Sequence, residues 1–280
     1  MKKDHPTHPL TFCSRGRLHQ FDRPIVMGIL NLTTDSFYDG GRYTDAKSIV
    51  ERAETILNEG GDIIDIGAVS TRPGATLLPP EEEAARLEQA VALVRQHFPY
   101  SILSADTCYS LPARRAIESG ADIINDISGG QFDPEMFDTV ARLQVPYILS
   151  HTQGTPDQMQ QHCQYGCIVD DLVKYYSSRL DTLRSMGVKD IWLDPGFGFA
   201  KTMEQNYELL DRLDEMTSLF KEPFLVGISR KSMIYKKLNC TPEESLNGTT
   251  VLNTKALLRG ALILRVHDVK EAKEAVDLTI

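Results

Sequence analysis

The sequence holds a single tryptophan and only five cysteines among 280 residues, and the cysteines are an odd, scattered set. Such cysteine usage argues against a disulfide-stapled secreted scaffold and suits a reducing cytoplasm. No apolar run approaches the ~18 uninterrupted residues of a membrane span. The amino end, MKKDHPTHPLTFC, lacks the apolar stretch of a secretory leader. Basic residues are in deficit: 30 Lys and Arg against 39 Asp and Glu leave a net charge of −9. A broad cationic face for nucleic acid is thereby excluded, while local cations still suit a small anion.

Several catalytic motifs are also missing. No Gly-rich dinucleotide turn follows the first strand-like run, which argues against an open doubly wound sheet. There is no nucleophile elbow and no H-E-x-x-H pair. The segment HCQYGC brings His162, Cys163 and Cys167 close together. It has no second ligand pair at zinc-site spacing, so these read as packed or solvent-facing side chains. What remains is a reaction driven by positioning and leaving-group stabilisation rather than by a covalent nucleophile.

What is present is a repeating alternation. Eight short apolar runs recur: Pro24–Asn31, Asp62–Ala68, Ser101–Thr107, Ile123–Ser128, Tyr147–His151, Ile191–Gly196, Phe224–Ser229 and Leu262–His267. Near-continuous apolar runs of this length predict strands buried on both faces of a parallel sheet. Helix-like stretches separate them, among them DAKSIVERAETILNEG and the acid-to-base run PPEEEAARLEQAVALVRQHF. TMEQNYELLDRLDEMTSLF reads as one helix, and the seventh gap as a short helix followed by a long one begun at Thr241. Eight strand–helix alternations predict a single α/β domain, a (β/α)8 barrel over residues 24–280. Residues 1–23 precede it, with TFCSRGRLHQF as a hairpin closing the barrel bottom.

In such a barrel the loops after the strands build the active site. Asn31, Asp35, Thr71, Arg72, Asp106, Asn125, His151, Asp194, Lys231, Arg265 and His267 fall there. They sort into two groups. Asp106, Asn125 and Asp194 offer acceptors and an amide, matching a ligand rich in N–H donors such as an amino-substituted nitrogen heterocycle. Arg72, Arg265 and His267, with Asn31, suit a phosphate or diphosphate. Arg265 and His267 alternate along one strand and so share a side. Blander readings stand beside these: a strand-end Asp often caps a helix, and Asp65, inside its strand, reads as a buried structural acid. His151 is equally readable as structural, and His97 as solvent-facing. LDPGFGFAKT, Leu193–Thr202, reads either as a phosphate-cradling turn or as an acid displayed at a pocket mouth.

The motifs MGILNLTTDSFYDGG, STRPGA, GADIINDISGG, LDPGFGF, GISRKS and ILRVHDV resemble, in order, those of the dihydropteroate synthase family. The resemblance spans residues 24–275, and the carboxyl end looks most like bacterial members of the Bacteroides group. It implies condensation of 6-hydroxymethyl-7,8-dihydropterin diphosphate with p-aminobenzoate, in the cytoplasm, by a homodimer using Mg²⁺. It places Asp106, Asn125, Ile127, Asp194, Phe199, Gly227 and Lys231 around the pterin. By the same resemblance, Asn31, Thr71, Arg72, Arg265 and His267 hold the diphosphate, with Asn31 on the metal. Asp35, Phe37, Pro73, Lys231 and Ser232 take the aminobenzoate, where sulfonamides compete. Asp106, Lys231, Arg265 and His267 carry the catalysis. Thr34, Val69, Ser150 and Cys108 stand where the family pattern differs or adds a thiol. Two alternatives remain open: a methyltetrahydrofolate:corrinoid methyltransferase, which needs no diphosphate site, and a non-catalytic pterin-binding paralogue.

Overall fold

The computed structural model describes residues 9–32, 42–68, 78–155, 158–159 and 163–279. A hairpin opens the chain, β1 (Leu10–Ser14) and β2 (Arg17–Phe21), paired antiparallel across a turn at Arg15 and Gly16. Eight parallel strands follow: β3 (Ile25–Asn31), β4 (Ile63–Gly67), β5 (Ile102–Asp106), β6 (Ile123–Asp126), β7 (Tyr147–Ser150), β8 (Ile191–Asp194), β9 (Leu225–Val226) and β10 (Ile263–Val266). Their order, β8-β7-β6-β5-β4-β3-β10-β9, is sequential around a ring. The ends of that order meet where Leu193 bridges Phe224 and the Leu193 amide donates to the Pro223 carbonyl at 2.9 Å. The barrel of the (β/α)8 expectation therefore closes.

Helices α1 (Arg42–Asn58), α2 (Pro80–His97), α3 (Ser110–Glu118), α4 (Met136–Leu143) and α5 (Ile168–Ser185) cover the outside. They are joined by α6 (Met203–Asp211), α7 (Leu213–Leu219), α8 (Ser232–Leu238), α9 (Leu246–Leu258) and α10 (Val269–Thr279). Outward strand residues such as Val26, Ile64, Leu103, Ile124, Leu149, Leu193 and Leu264 pack under them. Inward residues form a separate layer to which every strand contributes: Ile25 and Met27 from β3, then Ile63, Ile102, Ile123, Ile148, Trp192, Leu225 and Ile263. Leu10 and Phe12 of the hairpin cap this layer, Phe12 meeting Trp192 edge-on at 5.2 Å between centroids. Two buried faces are why the strands read as continuous apolar runs.

Two helix expectations need correction. The stretch read as one helix breaks at Arg212, where a tight Glu215 N–H to Arg212 carbonyl bond replaces helical spacing and the guanidinium grips Glu208 and Glu215 on either side. The helix expected from Thr241 starts instead as a 3-10 turn at Glu243–Ser245. There Ser245 donates to the Pro242 carbonyl, and Thr241 and Glu244 cap one another.

Candidate active site

Above the apolar layer the inward positions turn polar. Strand register sets Asp65 beside Ser104, Gly67 beside Asp106, Asp106 beside Asn125, and Ser150 beside Asp194. The polar side chains among these are buried. Alternation along each strand decides which residues point inward, and the closed ring brings them to one end.

The two groups expected from sequence are not separate. Arg265 donates from Nε to Asp65 Oδ2 at 2.6 Å and from Nη2 to Asp106 Oδ2. Asn125 donates from Nδ2 to the same Asp65 oxygen at 3.2 Å. Asp65, which sequence reasoning left as a structural acid, thus joins a residue of each group. Its signal was available: it shares the inward alternation of β4 with Ile63 and Gly67. Burial opposes the charge on Arg265, but Asp65 and Asp106 more than compensate and raise its pKa. Burial pushes the Asp106 carboxyl up to about 7, Arg265 pulling back and Asp65 adding to the rise. Two buried acceptors at the strand ends, Asp106 Oδ1 and Asn125 Oδ1, have no hydrogen-bond partner among the described residues, and neither does Asp65 Oδ1 one layer deeper. Such atoms carry a desolvation cost that a ligand's N–H groups would remove.

Asp194 closes the far side. Its Oδ1 accepts from the Gly196 amide at 2.8 Å, and Ser150 Oγ lies 3.5 Å from Oδ2. Burial raises its pKa against the pull of Lys231. Ser150, one of the departures noted in the sequence, therefore touches the acid. The Asp194 backbone is fixed by Tyr176, whose hydroxyl donates to its carbonyl at 2.6 Å. Lys231 donates to the Phe197 carbonyl at 2.6 Å, and its ammonium stands 4.3 Å from the centroid of the Phe199 ring. Burial lowers its pKa to about 8, with Asp194 opposing. Ile127 and Phe199 belong to one apolar cluster with Cys108, Met159 and Ala200. Gly227 lies beside Arg265: a Cβ built there would stand 3.8 Å from that residue's own Cβ.

LDPGFGFAKT is a shaped wall. Gly196 has φ +68°, and a Cβ there would lie 2.0 Å from the His151 carbonyl oxygen, so only glycine fits. Lys201, which sequence reasoning passed over, is buried beneath the loop. Its ammonium reaches the carbonyls of Gly196 at 3.0 Å and Phe199 at 3.1 Å, and His151 Nδ1 at 3.0 Å. Burial lowers its pKa to about 7. His151, lowered by burial and then by Lys201, is neutral and takes this structural part.

At the rim, the His267 amide donates to Ser229 Oγ at 3.2 Å, and that hydroxyl meets His267 Nδ1 at 3.1 Å. Ser229, unflagged by sequence, thereby sets the ring. Asn31 ends β3 exposed, with its Oδ1 on the side of Gly67 and Asp106. Ser232 opens α8, half-buried. Asp35, Phe37, Thr71, Arg72 and Pro73 lie outside the described residues, as do Thr34 and Val69. His162 lies outside them too. Cys163 Sγ faces the Met159 carbonyl, Cys167 meets Arg212, and no cluster of three His, Cys, Asp or Glu able to hold a metal occurs among the described residues. A single hard oxygen such as Asn31 suits an ion that keeps waters and phosphate oxygens as its other ligands, which is how Mg²⁺ is commonly bound.

Residues 27–267 match the model of a family described as pterin binding enzyme. The chain is 43% identical to dihydropteroate synthase of a Synechocystis species over 251 residues, covering 89% of this chain and 86% of that one. It is 40% identical to the Escherichia coli dihydropteroate synthase over 265 residues, covering 94% and 93%. Its fold superposes with a TM-score of 0.89 on the Yersinia pestis dihydropteroate synthase solved with a sulfonamide drug, at 37% identity and 96% and 98% coverage. The Xanthomonas albilineans dihydropteroate synthase solved with 4-aminobenzoic acid gives 0.87 at 35% identity, covering 96% of each chain.

Proposed function

The chain belongs to the dihydropteroate synthase family of pterin-binding enzymes, and from that premise we propose how its barrel mouth works. It joins 6-hydroxymethyl-7,8-dihydropterin diphosphate to p-aminobenzoate, forming 7,8-dihydropteroate and releasing pyrophosphate for folate synthesis. The observation that carries this reading is the pair of unpartnered buried acceptors, Asp106 Oδ1 and Asn125 Oδ1, set beside the cations Arg265 and Lys231. Open acceptors with cations beside them match a donor-rich ring with an anionic tail.

In this reading the ring lies between Asp106, Asn125 and Asp194, with Ile127, Phe199 and Gly227 giving flat walls and Lys231 reaching its polar edge. Arg265 and His267, with Asn31, Thr71 and Arg72, hold the diphosphate. Asp35, Phe37, Pro73, Lys231 and Ser232 receive the aminobenzoate, where a sulfonamide would compete. The methylene C–O bond breaks with its electron pair leaving on pyrophosphate, and the electron-rich ring spreads the positive charge that Asp106 faces. The arylamine lone pair then forms the new C–N bond and the nitrogen loses a proton. An arylamine is neutral at pH 7, so no strong base is required. Mg²⁺, held through Asn31 and the diphosphate oxygens, would supply charge neutralisation for the leaving group.

The decisive assay is pyrophosphate release with Mg²⁺ and both substrates, then with p-aminobenzoate omitted. Release dependent on the arylamine supports the reading; tight pterin binding without any release would turn it toward a non-catalytic paralogue.

We further propose a cytoplasmic homodimer. All five cysteines are free thiols, which suits a reducing compartment, and no helix among the described residues is long and apolar enough to cross a membrane. On the outer face of α8 and α9, Leu238, Val251 and Leu258 are 55%, 57% and 63% exposed. Gly248 of α9 lies beside Leu238 of α8, so the two helices share this exposed face. Val251→Glu with Leu258→Glu should convert a dimer to monomer in analytical ultracentrifugation; a wild-type monomer would end the dimer proposal.

A further inference from the structure

Asp65 is fully buried, one layer below Gly67 on β4 and beneath the acceptors at the strand ends. One of its oxygens nevertheless holds a residue from each half of the site. Resting on the proposed function, we propose that Asp65 is a positioning and specificity-determining residue: it turns the Asn125 amide oxygen toward the pterin and holds Arg265 off the free oxygen of Asp106.

The first half rests on hydrogen-bond chemistry. Asp65 Oδ2 accepts from Arg265 Nε at 2.6 Å and from Asn125 Nδ2 at 3.2 Å. An oxygen already taken by two donors acts here only as an acceptor. A carboxamide is nearly the same shape either way round, so its orientation is set by its partners. Facing Asp65, Asn125 must present nitrogen, which leaves Oδ1 for the other side. That is the oxygen without a partner among the described residues. Without Asp65 the amide is free to flip and to present N–H groups to a ring edge that is itself a donor.

The second half rests on geometry. Arg265 is stretched between two acids, giving Nε to Asp65 and Nη2 to Asp106 Oδ2. Guanidinium and carboxylate favour a parallel two-bond pairing when nothing else competes. Asp65 competes, and Asp106 Oδ1 stays open. Remove Asp65, and Arg265 can close over both oxygens of Asp106. One buried carboxylate thus keeps both pterin acceptors available.

The test measures binding of 6-hydroxymethyl-7,8-dihydropterin, the ring without its diphosphate, by calorimetry on the full-length protein. Asp65→Ala should weaken it at least about tenfold, in line with a polar mismatch at a buried edge. Asp65→Asn, whose carbonyl oxygen can take the place of Oδ2, should restore affinity to within about threefold of wild type. In an Asn125→Ala background, Asp65→Ala should cost less than it does alone, because part of its effect runs through Asn125. The KM for p-aminobenzoate should not change. Losses that simply add, or ring affinity untouched by Asp65→Ala, would overturn the proposal. If Asp65→Ala does not fold, Asp65→Ser, too short to reach either donor, carries the same comparison. A wild-type protein that neither binds this ring nor releases pyrophosphate would instead overturn the functional reading on which the inference rests.

Discussion

At the scale of single residues, the site is defined by acceptors with nothing to accept. Asp106 Oδ1 and Asn125 Oδ1 are buried and unpartnered among the described residues, while Asp194 has both oxygens engaged. Asp106→Asn replaces an acceptor with a partly mismatched amide and should weaken pterin binding by roughly 1–3 kcal/mol in calorimetry. Unchanged affinity would remove Asp106 from its role. The same groups set the pH profile. Asp106 offers two acceptor oxygens, one for Arg265 and one for the ring, only as a carboxylate; burial has raised it to about 7, so activity should fall as pH drops below that value. Lys231 acts as a cation, and burial has lowered it to about 8, so activity should fall as pH rises past that value. kcat/KM is therefore expected to be a narrow bell with limbs near those two values. Stability of the empty protein runs the other way at Asp106. A raised acid favours the fold when protonated, and that contribution is lost as pH rises from the ordinary carboxyl range to about 7. A flat profile of kcat/KM between about pH 6 and 9 would contradict the assignment. Asp106, Asn125 and Asp194 were legible in the sequence because each ends an apolar run. The inward position of Asp65 was legible from the alternation of β4, but its part in the site was not, because that part lies in Asn125 and Arg265, 60 and 200 residues away along the chain.

At the scale of elements, the loop between β8 and α6 does the most. Gly196 turns it, Lys201 staples it from beneath, and Lys231 reaches over from the start of α8 to hold the Phe197 carbonyl. Gly196→Ala should cost at least about 2 kcal/mol, combining the left-handed backbone penalty with overpacking against the His151 carbonyl. It should also raise the pterin KM, because Asp194 Oδ1 is held by the Gly196 amide. Denaturant unfolding and initial-rate kinetics check the two effects together; a variant as stable as wild type would show that the loop relaxes freely. The sequence announced this loop through its glycines and phenylalanines but left its purpose open between phosphate cradle and pocket wall. The wall reading is supported by the bonding: Lys201 draws the Gly196 and Phe199 carbonyls toward itself, and the Gly196, Gly198 and Phe199 amides are already given to Asp194, Asn206 and the Gly196 carbonyl. Helix boundaries were less legible: the break at Arg212 depends on ion pairs to Glu208 and Glu215 that periodicity does not express.

At the scale of the whole molecule, the hairpin plugs one end of the barrel and the chemistry occupies the other. Phe12→Ala should destabilise the fold by roughly 3–5 kcal/mol, the usual cost of emptying a buried aromatic site. It should leave the KM values near wild type, because the Ile25–Trp192 layer separates Phe12 from Asp106. A large rise in KM without a change in denaturation midpoint would show that the two ends communicate. The sequence by itself determined the alternation of eight strands with helices, the plugging hairpin and the acids at the strand ends. Those features are local, written in the spacing of apolar residues and in the polar residues that end each run. Only the tertiary structure decided that Arg265 lies between Asp65 and Asp106, that Asn125 turns its oxygen away from Asp65, and that Lys201 sits under the pocket wall. Each of these depends on which inward side chains a closed ring makes neighbours, and a linear pattern carries no record of neighbours across a ring.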